Sequence, residues 1–149
     1  LKYIVLCENL SIAEINTAGI PSNITRTLII DIKFNENFFE RAIHHEVFHM
    51  INDSYKELFN KVEWKTFNKK DFKYSECSTC NNSWNLELYN KIDGFLTEYS
   101  KSTASEDMAE IFSHLMFYRN KTYANAPIIE KKVQFIKNSI LKIDDTFAF

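Results

Sequence analysis

Near Phe38 the spacing of apolar residues changes, and that change decides what kind of fold the chain can adopt. Before it, Tyr3-Ile-Val-Leu-Cys7 and Leu28-Ile-Ile-Asp-Ile32 are short runs of strand length, separated by a turn signal at Gly19-Ile-Pro21. From Phe38 to about Asn52, Phe39, Ile43, Val47, Met50 and Ile51 instead gather on one side of a helix at about 100° per residue. That helix is expected to be largely buried. Asp53 to Asn90 carries only weak patterning, read as partly helical and then loop, with Trp64, Phe67, Phe72, Tyr74 and Trp84 scattered along it. A second helix is expected from Thr103 to about Tyr118, with Met108, Ile111, Phe112 and Leu115 on its apolar face. A last helix starts at Pro127, which suits a first helical position, and repeats Ile129, Val133, Ile136, Ile140 and Ile143. Its expected role is packing only. Strands first and helices after describe an α+β domain. The 149 residues, 45% of them hydrophobic, are enough for one cored domain over residues 1–149.

Composition removes several function classes. There are only two glycines, Gly19 and Gly94, too far apart for a P-loop or a G-x-G-x-x-G turn. Net charge is −2 with Lys and Arg spread along the chain, so no nucleic-acid partner is expected. No apolar run reaches the length of a membrane span. Cys7, Cys77 and Cys80 are too few for a disulfide framework. Cys77-Ser-Thr-Cys80 lacks the second C-x-x-C of a zinc ribbon and reads as loop cysteines, or as one local disulfide in an exported protein. No signal-peptide pattern is found in the given chain. The compartment is left open, with a secreted or extracytoplasmic bacterial protein among the expectations.

His45-Glu46-Val47-Phe48-His49 matches H-E-x-x-H. On a helix the two histidines fall about 40° apart, one turn from each other, on a different side from the apolar stripe. Two imidazoles in that relation converge on a metal without needing any loop to be ordered. Zinc held there lowers the pKa of water to roughly 7, and a carboxylate between the histidines can take the proton as a carbonyl is attacked. The roles are then His45 and His49 as ligands and Glu46 as general base. The pattern also arises by chance in on the order of one in several hundred chains of this size, so it does not settle the matter alone. The neighbouring His44 points about 100° away from His45 and reads as a surface or core residue.

A catalytic zinc takes three protein ligands. The metzincin continuation needs a glycine at position 52 and a histidine at 55, where this chain has Asn52 and Tyr55. Cys7 is the only upstream cysteine that could serve as in peptide deformylases, without that family's motif around it. Asp53 would have to reach back along its own helix, and His114 is the only histidine downstream. Among the downstream carboxylates Glu106 and Glu110 stand out, because they share one helix face four residues apart. Thr103-x-x-Glu106 could alternatively form a capping box that occupies the Glu106 side chain.

The stretch Gly94-Phe-Leu-Thr-Glu-Tyr99-Ser-Lys-Ser-Thr-Ala-Ser-Glu106-Asp107-Met-Ala-Glu110 resembles the G-F-x-S-x-Y-A…E-D-x-A-E segment of bacterial zinc-binding metallopeptidases related to the catalytic domain of anthrax lethal factor. Trp64, Asn68, Phe72 and Tyr74 resemble that family's W…N…F-x-Y spacer, and Thr27-Leu-Ile-Ile-Asp31 its early strand. The resemblance covers most of residues 2–118. It implies a zincin-like (gluzincin-type) metallopeptidase domain: a small twisted sheet at the N-terminus, an H-E-x-x-H active-site helix, and C-terminal helices. It implies Glu106 as third zinc ligand, Glu110 as a carboxylate behind the ligands, and Tyr99 as a neutral hydrogen-bond donor to the reacting oxyanion or the leaving amine. Thr97 and Ser100 depart from the family's usual serine and alanine. Ser75 to Tyr89 matches nothing in the family, and substrate selectivity is expected there.

The expected activity is zinc-dependent hydrolysis of a peptide or protein, with one catalytic zinc as cofactor and extended substrate paired to a sheet edge. Three alternatives stand beside it: a zinc-bearing binding or effector module that does not cut, a metal-dependent amidase on a non-peptide substrate, and a metal-free domain with a coincidental motif.

Overall fold

The alternation of β5 (Thr27–Asp31) fixes how the sheet is built, since Leu28 and Ile30 are fully buried while Ile29 between them is not. The structure, a computed structural model, describes residues 1–34, 38–80, 84–88, 93–118 and 125–149. Parts of the weakly patterned stretch, 81–83 and 89–90 together with Tyr89 at the end of the unmatched segment, lie outside the described residues. β5 is the centre of a three-stranded sheet. β1 (Tyr3–Cys7) runs parallel to it on one side, with Tyr3 opposite Thr27 and Cys7 opposite Asp31. β4 (Gly19–Ser22) runs antiparallel on the other, with Gly19 opposite Ile30. Between β1 and β4, β2 (Ser11–Ile12) and β3 (Ile15–Asn16) form a separate small hairpin.

The segment expected as a turn, Gly19-Ile-Pro21, is therefore a strand. Among the described residues β4 lies at the sheet edge, where one row of N–H groups has no ladder partner, so the N–H that proline lacks is tolerated there. Gly19 has a packing reason: a Cβ at this position would lie 2.6 Å from the Glu46 Cγ. The glycine lets β4 pass against the next element.

That element is α1 (Phe39–Ser54), which packs on β4 and β5 and, more extensively, on the later helix over Ala104–Phe117. Its buried residues are Arg41, His45, Glu46, Phe48, Met50 and Asn52. Phe39, Ile43, Val47 and Ile51 of the expected stripe are only half-buried. Hydropathy misjudged the inner face because Arg41, His45 and Asn52 are buried in hydrogen bonds to Glu110, Glu106 and Ser105, the condition under which polar burial is tolerated. Asn23 in the β4–β5 turn ties the sheet to the end of this helix, donating to the Met50 carbonyl and the Asp53 carboxylate, each at 3.0 Å.

α2 (Lys61–Thr66) is capped by Asn60, which accepts from the N–H groups of Val62 and Glu63. α3 (Ala104–Phe117) is buried almost throughout from Asp107 to Leu115, including all four apolar residues expected on its face. α4 (Pro127–Ile143) covers it, with Ile129, Ile136 and Ile140 buried and Val133 and Ile143 partly so. Phe48, Phe59, Trp64, Phe95, Met108, Phe112, Ile129 and Ile136 belong to the core between these helices. Among the described residues no helix is long and apolar enough to cross a membrane.

Candidate metal centre

The four-residue step along α1 puts His45 and His49 on its inner side, where they face the first turns of α3. Glu106 lies in the first turn of α3, and its Oε2 is 2.9 Å from His45 Nε2 and 3.1 Å from His49 Nε2. The two imidazole Nε2 atoms are 3.1 Å apart. His45, His49 and Glu106 form the one group of metal-capable donors among the described residues, all within 4.8 Å of one another. Two neutral imidazoles and one carboxylate are a donor set that catalytic zinc takes, and donors about 2 Å from one ion stand roughly 3 Å apart, as these do. The residues present fit zinc.

The Thr103–Glu106 box is half made. Thr103 Oγ1 accepts from the Glu106 N–H at 3.2 Å, while the Glu106 carboxylate turns to the histidines instead of back to the cap. Thr103 thus starts the helix and leaves the side chain free for the site.

Behind the trio, Glu110 lies one turn further along α3. Its Oε1 is 2.9 Å from His45 Nδ1, and its Oε2 is 2.8 Å from Arg41 Nη2. An ionised carboxylate only accepts, so Nδ1 donates to Glu110, and Nε2 is the nitrogen that would give up its proton to a metal held by the trio. Burial works against a charged His45, but hydrogen bonds to Glu106 and Glu110 outweigh it and raise the pKa well above the ordinary histidine value. Burial likewise opposes both carboxylates. His45 and His49 nevertheless hold Glu106 below the usual range, while His45 and Arg41 do the same for Glu110.

Glu46 sits beside the trio and is 9% exposed, with its stem against Gly19. Burial raises its pKa, partly offset by His45 and His49. A raised carboxylate pKa makes a better proton acceptor near neutrality. Tyr99 opens a single 3-10 turn, Tyr99–Lys101, just before α3. Its ring centroid is 5.9 Å from that of His45, and its hydroxyl faces Glu106 and Ser78. Burial first, then the charges of Glu106 and Glu46, push the phenol far above its ordinary value, so it remains a proton donor. Thr97 and Ser100, the two departures from the family segment, hold this turn. Each hydroxyl accepts from the other's backbone N–H, and Thr97 faces Glu110.

The remaining candidates lie elsewhere. Cys7 Sγ reaches the Ile30 carbonyl, Asp53 is exposed beside Lys56, and His114 stacks on Tyr118. His44 is half-buried and outside the trio. Cys77 and Cys80 form a disulfide.

The sequence reading missed two supports. Arg41 is one, because its partner Glu110 is 69 positions away. The other is centred on Asp107, next to Glu106, whose Oδ2 accepts from Trp64 Nε1 at 2.9 Å, Lys132 Nζ at 2.7 Å and the Tyr74 hydroxyl. Lys132 also donates to the Gly94 carbonyl at 2.6 Å. Burial raises the Asp107 pKa and lowers that of Lys132, each opposed by the other's charge. α4 therefore does more than pack. The signal was available: Lys132 falls between Ile129 and Ile136 at apolar spacing, where a lysine has to find a buried partner.

A family model described as "Putative zinc-binding metallo-peptidase" matches residues 16–142, from the end of β3 to the last turn of α4. Comparison with curated proteins and with solved structures returned no match. The match spans the trio, Glu110 behind it, and Asp107 with its partner Lys132, and the chain belongs to this family of zinc-binding metallopeptidases.

Proposed function

We propose that the chain is a zincin of the gluzincin type, related to the lethal factor catalytic domain, that hydrolyses peptide bonds. The observation that carries this reading is the convergence of Glu106 on the two H-E-x-x-H imidazoles, 61 and 57 positions away in the chain. His45, His49 and Glu106 would hold zinc, which when bound supplies Lewis acidity and makes water acidic near pH 7.

The chain's own residues do the rest. Glu46, buried and raised in pKa, takes the proton of the attacking water and passes it to the leaving nitrogen. The Tyr99 hydroxyl donates to the carbonyl oxygen as it gains negative charge, and its raised pKa keeps that donor in place through the alkaline range. Glu110 and Arg41 hold His45 in one tautomer and orientation. The free edge of β4 runs past Glu46 and suits an extended peptide added as a further strand. The disulfide is in keeping with an extracytoplasmic location.

The test is hydrolysis of a mixed peptide library by zinc-loaded protein. Cleavage that is lost in Glu46→Gln with zinc still bound is the expected result. Equal cleavage by Glu46→Gln, or none by either protein, contradicts the proposal.

A further inference from the structure

A pocket of about 240 Å³ opens on the His45 side of the trio, with His45, Glu46 and Tyr99 in its inner wall. Its other walls come from three parts of the chain. Phe38 and Ala42 line it from the start of α1, with Phe34 beside them. Ile12 and Ile15 line it from the β2–β3 hairpin. Trp84 and Leu86 close it beyond the disulfide, and the Trp84 ring centroid is 6.5 Å from that of Tyr99. The last wall lies in the Ser75–Tyr89 stretch that has no counterpart in the family segment.

The hairpin wall is held in shape. Ala13 and Glu14, the two residues between β2 and β3, have φ of 48° and 68°. Two left-handed residues make the tight turn that keeps Ile12 opposite Ile15. Side chains other than glycine pay a conformational cost there, of the kind that concentrates at binding sites.

Most of the lining surface is aromatic and aliphatic, with Asn16, Thr17, Ser78 and Thr79 as uncharged polar members. Of its charged members, His45 and Glu46 belong to the candidate centre itself, and Arg41 and Glu110 are bound to each other at 2.8 Å, so none stands apart as a counter-charge for an entering group. Pockets for drug-sized ligands run to about 300–1,000 Å³, so this one suits a single large side chain. The hollow on the opposite, His49 side is different: about 680 Å³, with Asn52, Asp53 and Lys56 among its lining.

We propose that the His45-side pocket is a specificity subsite that takes one large apolar side chain, aromatic or long aliphatic, from the residue adjoining the scissile bond. This rests on the peptidase reading above. A charged side chain would lose its hydration there without gaining a partner. A side chain a few methylenes short would forgo burial, at roughly 10- to 200-fold per methylene in an apolar pocket.

The experiment profiles zinc-loaded protein on a peptide library randomised on both sides of the cleaved bond, alongside Ala42→Leu and Trp84→Ala. Binding of the same peptides to Glu46→Gln is measured by calorimetry. One adjoining position is expected to favour Phe, Tyr, Leu or Met over Asp, Lys and Gly by on the order of 10- to 100-fold in both cleavage and binding. Ala42→Leu, which narrows the pocket, should lower the Phe-to-Ala ratio of kcat/KM about tenfold, and Trp84→Ala should change the preferred side chain. Cleavage with no apolar preference at either adjoining position overturns the subsite and leaves peptide hydrolysis standing. A preference untouched by both substitutions does the same. Zinc-loaded protein that cleaves no peptide, with no binding to Glu46→Gln, overturns the peptidase reading and the subsite together.

Discussion

Gly19 joins backbone packing to chemistry through one missing methyl group. An alanine there would place Cβ 2.6 Å from the Glu46 Cγ, a contact that only movement of the glutamate or of β4 can relieve. Misplacing a reacting group by about 1 Å costs on the order of 100-fold in rate. Gly19→Ala is therefore expected to lose about 100-fold in peptide kcat/KM while metal analysis finds zinc still bound. A second residue-scale prediction concerns Glu110. Truncation to Ala removes the acceptor for His45 Nδ1 and leaves Arg41 buried without its carboxylate. Chelator competition should show zinc affinity down by roughly 10- to 100-fold. Denaturant titration should show a loss of about 3–5 kcal/mol. At this scale the sequence was most informative about residues close together in the chain. His45, Glu46 and His49 are legible because a helix turns their spacing into geometry. Arg41 is not, because nothing local says that it meets Glu110.

α4 is the element whose role changed most between sequence and structure. Its apolar repeat is plain, yet Lys132 reaches through it to Asp107, and both side chains are fully buried. Breaking such a pair by removing one partner is costly because the other charge remains inside. Lys132→Met is expected to destabilise by about 3–5 kcal/mol in urea denaturation. Adding Asp107→Asn should recover part of that loss, since no buried carboxylate then lacks its cation. Elements with a regular apolar repeat, such as α3 and α4, could be read from periodicity. β4 could not, because a glycine and a proline in four residues signal a turn unless the strand is known to lie at an edge. The inner face of α1 was also hidden, since its burial rests on paired polar groups contributed by α3.

Across the whole molecule, the α+β order, with sheet at the start and helices after, follows from the change of period near Phe38. The third ligand required more than period. Spacing alone left Glu106 among several carboxylates, and only its likeness to a family segment singled it out before the fold brought it to the histidines. The central claim is that His45, His49 and Glu106 hold one zinc while Glu46 serves as the base. The most direct measurement is zinc content per chain, by mass spectrometry of metals, for wild type, His45→Ala, Glu106→Gln and Glu46→Gln purified without chelators. The account predicts about one zinc in wild type and in Glu46→Gln, with most of it lost from the two ligand variants. Zinc absent from wild type, or retained in full by both ligand variants, would contradict it.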